Sequence, residues 1–322
     1  MGSMFLRLAR FGTVLALLVV MLGAWVRLSD AGLGCPDWPG CYGRMIVPDH
    51  AAAAPDLIAQ RPLEANKAWR EMIHRYLAGT LGIVCVALAV LAWRNRKDPA
   101  QPRRRPLGLV ALIVFQALLG MWTVTLLLKP LIVVGHLFGG LATLAVLSSL
   151  ARWRSVRFPS PTPALRALAL GAAAALVLQI FLGGWTSSNY AAVACPDFPT
   201  CQTKWWPPVT DFKDGFVLWR GLGIDYEGGV LDHPARVAIH FTHRLGALLA
   251  ALLIGLLGAR LAFEPATRPD GLAVLAALAC QLTLGVSIVV FGAPLYVAVA
   301  HNGMAALLLL AVINANQRIG NR

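Results

Sequence analysis

Two cysteine pairs and four histidines recur in the same order in the two halves of this 322-residue chain. Gly23–Cys41 reads GAWVRLSDAGLGCPDWPGC and Gly183–Cys201 reads GGWTSSNYAAVACPDFPTC. Trp25, Cys35 and Cys41 therefore align with Trp185, Cys195 and Cys201 at one fixed offset, His74-Arg75 is echoed by His243-Arg244, and His136 by His301. All four histidines lie within apolar stretches, where ionisable groups are costly and mark function or buried pairing. One such histidine is commonly a hydrogen-bonded packing residue; four at matching places in two repeats point to ligation. Neutral imidazole is a good axial ligand for haem iron, and facing helices of a bundle can hold a porphyrin. The simplest arrangement is two bis-histidine sites, His74 with His136 and His243 with His301. Zinc would want four converging ligands, often with thiolate or carboxylate. Here the histidines sort into separated pairs with aromatic company (Trp25, Trp122, Phe138, Phe241).

The halves differ at one place. Glu71-Met-Ile-His74-Arg75 in the first stands against His240-Phe-Thr-His243-Arg244 in the second. Glu71 precedes His74 by one helical turn on the same face, so its carboxylate overhangs whatever His74 binds. The competing reading is an ion pair with Arg75 or another arginine. On the functional reading only the first half does chemistry and the second holds a permanent cofactor. The cysteines share the frame C-P-D-[WF]-P-x-C, a tight loop suited to a structural disulfide in an oxidising compartment or to thiol exchange with a partner. Cys85 and Cys280 lie inside apolar runs and read as inert small hydrophobes.

The elements that carry these residues follow from composition. The chain is 58% hydrophobic and 13% charged, with mean hydropathy +0.67, far from a soluble domain. Apolar runs near 8–28, 68–93, 106–128, 131–151, 164–185, 237–262, 270–291 and 294–314 are each long enough to cross a bilayer. Without water at that depth they must be helices, giving an all-α, polytopic membrane protein of eight spans. The first run is too long for a signal peptide and no A-x-A site follows it, so it reads as retained. The net charge of +13 would suit nucleic acid, but its placement excludes that partner. Arg7, Arg10, the cluster Arg94, Arg96, Lys97, Arg103, Arg104 and Arg105, then Arg152, Arg154, Arg157, Arg260, Arg268, Arg318 and Arg322 all fall on one side of an eight-span topology. The positive-inside rule then puts both termini in the cytoplasm and the two long loops, 29–67 and 186–236, outside. The spans divide into four-helix halves, 1–151 and 164–322, joined by a basic linker at 152–163. An even number of spans per half makes the repeat parallel. Gln116-x-x-x-Gly120 and Gln281-x-x-x-Gly285 also match, and the glycines suit close helix packing.

Together, the E-M-x-H-R box at 71–75, GCPDWPGC at 34–41, HLFGGLATLA from 136, THRLGALL from 242 and HNGMAALLLL from 301 resemble the haem A synthase family over nearly the whole chain. The resemblance implies an inner (plasma) membrane oxidoreductase that converts the C8 methyl of haem O to a formyl group, making haem A for terminal oxidases. It implies a haem b cofactor on His243 and His301, and substrate haem O in the first half at His74 and His136 with Glu71 as acid/base residue. The Cys35–Cys41 disulfide is likewise a family feature, a haem O synthase is the natural donor, and the electron acceptor is unidentified. His240 receives no ligand role. The competing classes are a di-haem b electron-transfer cytochrome and a thiol–quinone oxidoreductase acting through the outer cysteine pairs. The cytochrome gives no reason for Glu71 in one half only; the oxidoreductase leaves the four histidines unexplained.

Overall fold

A computed structural model describes residues 2–48, 56–57, 61–152 and 161–320. Among the described residues eight helices are long and apolar enough to cross a membrane: α1 Ser3–Leu28, α2 Ala65–Arg94, α3 Arg104–Thr125, α4 Pro130–Ala151, α5 Pro163–Ser188, α6 His233–Phe263, α7 Arg268–Val290 and α8 Leu295–Ile319. Among the described residues there is no strand, and one further helical turn covers Phe212–Gly215. The protein is an all-α multi-pass membrane protein. Its exposed large hydrophobics, such as Ile83, Leu170, Leu248 and Val290, are lipid-facing surface rather than defects of packing. The expected linker at 152–163 falls mostly outside the described residues.

Local chemistry sets the helix ends. Thr162 caps α5 by accepting the Leu165 N–H at 3.2 Å, with Pro163 in the first turn, where its missing N–H costs nothing. Prolines open α6 and α7 in the same way. Several ends differ from the expected spans: α1 begins at Ser3 and α6 at His233, ahead of 8 and 237, and two further ends have a visible cause. Leu126, Leu127 and Leu128 were expected inside 106–128, but α3 stops at Thr125, and Leu127 and Leu128 turn with φ of 51° and 59°. The cause is Pro130, which begins α4 and disfavours a helical residue before it. At the other extreme α8 continues past 314 to Ile319. Its polar end is satisfied inside the protein: Asn314 donates to Asp270 and Asn316 to the Ala169 carbonyl, both at 3.0 Å, and Arg318 pairs with Asp270.

The chain forms two compact units, Met1–Ala151 with Trp219–Val230, and Arg152–Leu218 with Leu231–Arg322. In the first, α1 packs on α2 and α4, and α3 on α2 and α4. Gly12 of α1 brings its backbone close to Val84 of α2 and Leu147 of α4. In the second, α5 packs on α6 and α8, and α7 on α6 and α8. In both units the histidine-bearing helices are thus one of the two diagonal pairs, not principal neighbours.

Trp219–Val230 lies in the second half of the sequence yet packs in the first unit. Tyr226 is buried with Leu33, Val124 and Leu128, and its N–H donates to the Leu127 carbonyl at 3.1 Å. Burial pushes its phenol pKa up. Arg61 pairs with Glu227 at 2.6 Å and Asp225 at 3.0 Å. The Lys129 ammonium donates to the Arg220 and Gly221 carbonyls and stands 3.8 Å above the Trp219 ring.

Candidate functional site

The cysteine loop after α1 is organised around Asp37. Its carboxylate accepts the N–H groups of Tyr42 at 2.6 Å and Gly43 at 2.9 Å, an Asx-type closure of a tight turn. Cys35 and Cys41 are disulfide-bonded and fully buried. Arg75 of α2 reaches into the loop and donates to the carbonyls of Asp37, Pro39 and Gly40. The other guanidinium nitrogen pairs with Glu71, whose second oxygen accepts the Cys35 N–H at 2.9 Å. Glu71 is 4% exposed. The ion pair expected as one of its two readings is therefore present, and the same carboxylate ties α2 to the disulfide.

The second unit repeats this construction with a different residue. Cys195 and Cys201 are bonded, and Asp197 accepts the N–H groups of Gln202 and Thr203 at 2.7 and 3.0 Å. The Thr200 hydroxyl, aided by those N–H groups, holds the Asp197 carboxyl below its ordinary range. Arg244 donates to the carbonyls of Thr200 at 2.6 Å and Cys195 at 2.8 Å. Buried His240 takes the place of Glu71, accepting the Cys195 N–H on Nδ1 at 3.2 Å, with Arg244 Nε 3.4 Å from its Nε2. Glu71 and His240 thus do the same hydrogen-bonding work, and only Glu71 brings a carboxylate.

Loop and helix are in backbone contact here. A Cβ at Gly34 would fall 2.6 Å from the Lys67 carbonyl carbon and 2.7 Å from the Ala68 nitrogen. Gly34→Ala is expected to cost about 1–3 kcal/mol, the usual range for overpacking, and to speed labelling of Cys35 and Cys41 by a thiol reagent after mild reduction. Wild-type labelling kinetics would show that the loop does not need this close approach.

The rings of His74 (α2) and His136 (α4) stand edge-on with centroids 6.5 Å apart, leaving room for one metal atom bonded to each imidazole at about 2.0–2.1 Å, the zinc–imidazole value. The Nδ1 atoms of His74, His136 and His301 are buried without a hydrogen-bond partner. Each ring edge lies against a glycine of the helix before its own. Added Cβ atoms at Gly23, Gly120, Gly183 and Gly285 would come 2.9, 3.2, 3.2 and 3.0 Å from Cε1 of His74, His136, His243 and His301 respectively. The glycines are there because an imidazole is.

Residues 7–313 match the family described as COX15-CtaA, cytochrome oxidase assembly protein. The chain belongs to this family. Within it, the Heme A synthase of Shewanella oneidensis is 45% identical over 316 residues, covering 96% of this chain and 94% of that protein. The Heme A synthase of Rhizorhabdus wittichii is 30% identical over 332 residues, covering 93% and 89%, and that of Halalkalibacterium halodurans 29% over 317 residues, covering 92% of each.

In this COX15-CtaA chain the structure adds residues that sequence reasoning passed over. Arg75 and Arg244 anchor the cysteine loops, and the repeated His-Arg dipeptide was their signal. Gln179 and Gly183 continue the pattern seen at Gln116/Gly120 and Gln281/Gly285. Gln179 lies 3.1 Å from His243 Nδ1 and Gln281 3.1 Å from His301 Nε2.

Proposed function

We propose that this chain is a haem A synthase, oxidising the C8 methyl of haem O to a formyl group for terminal oxidases. The observation that carries this reading is the His74–His136 pair, 6.5 Å between rings and each with a buried Nδ1, with the Glu71 carboxylate one turn from His74. Orphaned ring nitrogens in a buried, apolar setting fit a porphyrin whose iron both histidines ligate, and family membership supports the substrate. His74 and His136 hold haem O in the first unit. His243 and His301 hold haem b in the second, where it supplies one-electron redox chemistry.

Glu71 does the local chemistry. Oxidising a methyl at the porphyrin edge develops positive charge on that carbon and releases protons. An ionised carboxylate stabilises the charge and accepts a proton. Arg75 and the Cys35 N–H each occupy one Glu71 oxygen, and a carboxylate oxygen can still accept a further hydrogen bond. These two donors fix the carboxylate in place. The Cys35–Cys41 disulfide is on this reading a positioning device, because the N–H it immobilises is the one Glu71 accepts. The conversion takes up the oxygen of one water and releases four electrons and four protons, so an external electron acceptor completes the cycle. The arginine-rich connections support cytoplasmic termini and outward cysteine loops, and the four-helix units are parallel repeats.

Pigment extraction from the purified protein tests the reading. Haem b together with haem O or haem A is expected. Two haem b per chain would make it an electron-transfer cytochrome instead, and absence of haem would overturn the histidine assignment altogether.

A further inference from the structure

The two cysteine loops share a feature that neither their disulfides nor their arginine anchors account for. In each, a short backbone turn closes just after the second cysteine. The Cys41 N–H donates to the Arg44 carbonyl at 2.7 Å, and the Cys201 N–H to the Lys204 carbonyl at 2.9 Å. Immediately beyond the turn each loop presents two large apolar side chains outward. Met45 and Ile46 are 64% and 63% exposed, and Trp205 and Trp206, at the equivalent positions, 77% and 62%. The residue that closes each turn, Arg44 or Lys204, is an exposed cation. Different side chains thus keep one pattern twice, a basic residue followed by two exposed apolar ones.

The helices beside the loops give the depth of these tips. Tyr76 of α2 donates its hydroxyl hydrogen to the Met45 carbonyl, so the first tip lies level with Tyr76, well inside a helix that starts at Ala65. No charge stands between Tyr76 and Arg94 at the end of α2, and at 1.5 Å per residue the stretch is about 27 Å long. In the second unit the Trp206 ring packs edge-on against Phe241 of α6 with 5.0 Å between centroids. Phe241 is about 28 Å from Arg260 on the same rise. The hydrocarbon core of a bilayer is ~30 Å thick, and arginine heads stay at its margin. Each tip therefore stands at the opposite margin of that core rather than out in water. Each also continues an exposed apolar stripe on one helical face: Ile73, Tyr76 and Ile83 on α2, Leu245, Leu248 and Leu252 on α6.

We propose that both disulfide loops are lipid anchors, seated in the headgroup boundary of the bilayer face remote from the arginine-rich connections. Met45 and Ile46, like Trp205 and Trp206, meet the outermost acyl segments, and Arg44 and Lys204 meet lipid phosphates. An indole suits this boundary because its body is apolar and its N–H reaches polar groups; a cation suits it because the lipid surface is anionic. A protein partner would have to displace lipid to cover tips at this depth. The partner is therefore phospholipid, whichever group the histidines hold. Because Arg75 and Arg244 grip the same loops, the bilayer helps to press each disulfide segment against its helix.

The test uses the full-length protein in nanodiscs of phosphatidylcholine and phosphatidylglycerol. With Cys85 and Cys280 replaced by alanine, a nitroxide is attached through Met45→Cys or Trp205→Cys. Glu64→Cys, at the exposed start of α2, is the water reference, and Ile83→Cys, exposed further along α2, the lipid reference. Oxygen is expected to relax the labels at 45 and 205 more than a water-soluble nickel chelate does, as at 83 and opposite to 64. Greater access to nickel would put the tips in water, and shielding from both reagents would put protein over them, a partner or a second copy. Either result overturns the proposal. A new thiol beside a disulfide can exchange with it, so an independent measurement keeps the native cysteines. Brominated phosphatidylcholine is expected to quench tryptophan emission, and Trp205→Phe with Trp206→Phe to remove part of the quenched emission. Quenched emission in that double variant equal to wild type would overturn the proposal whatever the labels show.

Discussion

Glu71→His is expected to leave a folded, haem-binding protein in which conversion of haem O to haem A falls about 10²–10⁴-fold, the range for losing a general acid–base group. The second unit shows why the fold should survive. His240 stands at the equivalent place, accepts the Cys195 N–H at 3.2 Å and lies 3.4 Å from Arg244. An imidazole is thus compatible with a disulfide loop of this construction. Glu71→Ala is a poorer probe, because it strips the partner from both the Cys35 N–H and Arg75. Removing one member of a buried ion pair costs about 3–5 kcal/mol, an upper figure here because Arg75 keeps three loop carbonyls. The haem O to haem A ratio, extracted from cells whose only synthase is the variant, reads the effect. Wild-type conversion by Glu71→His would reduce the carboxylate to a loop anchor.

Gly271→Ala is expected to be the most damaging single methyl that can be added to the helices. Its Cβ would come 2.3 Å from the Ala262 backbone nitrogen and 2.6 Å from the Gly258 carbonyl oxygen. Both atoms are backbone of α6, so no side chain can rotate aside and α7 must move as a body. Overpacking typically costs about 1–3 kcal/mol and occasionally more; this contact belongs at the upper end. Small residues at such crossings are what let membrane helices approach closely. Gly79→Ala and Gly108→Ala supply the control, since nothing lies within 4 Å of a Cβ at either. Alanine there should stabilise by about 0.5–1 kcal/mol through helix propensity. Thermal unfolding in detergent separates the two signs, and a Gly271→Ala midpoint equal to wild type would mean that α6 and α7 are not in backbone contact.

What could be read from the chain beforehand was what leaves a local or duplicated trace. The eight spans were visible as apolar runs, but their ends were not: α1 and α6 start earlier than the runs at Ser3 and His233, α8 runs on where Asn314 finds Asp270, and α3 stops short where Pro130 imposes a turn. The cysteine pairs and histidines stood out because each was written twice. Glu71 stood out because its counterpart is His240, and its pairing with Arg75 is a contact four residues long. The rest depended on distant parts of the chain meeting. Arg75 grips carbonyls 35 to 38 positions away, Gln179 meets a histidine 64 positions on, and Arg61 finds Glu227 across 166 positions. No periodicity announces such contacts, and Gln179 in particular looks like any polar residue in an apolar helix until the ring beside it is seen.

Trp219–Val230 has a consequence for how the protein is made. The ribosome reaches Tyr226 only after α5 has been synthesised, yet Tyr226 fills the space among Leu33, Val124 and Leu128, and Asp225 and Glu227 neutralise Arg61. The unit that is begun first is therefore not the one that can be finished first. A nascent chain ending at Ala151 lacks an aromatic ring and two carboxylates that its own four helices call for. The two halves, expressed as separate polypeptides cut in the basic connection, would share that missing piece between them, with the first half waiting on a dozen residues that only the second encodes.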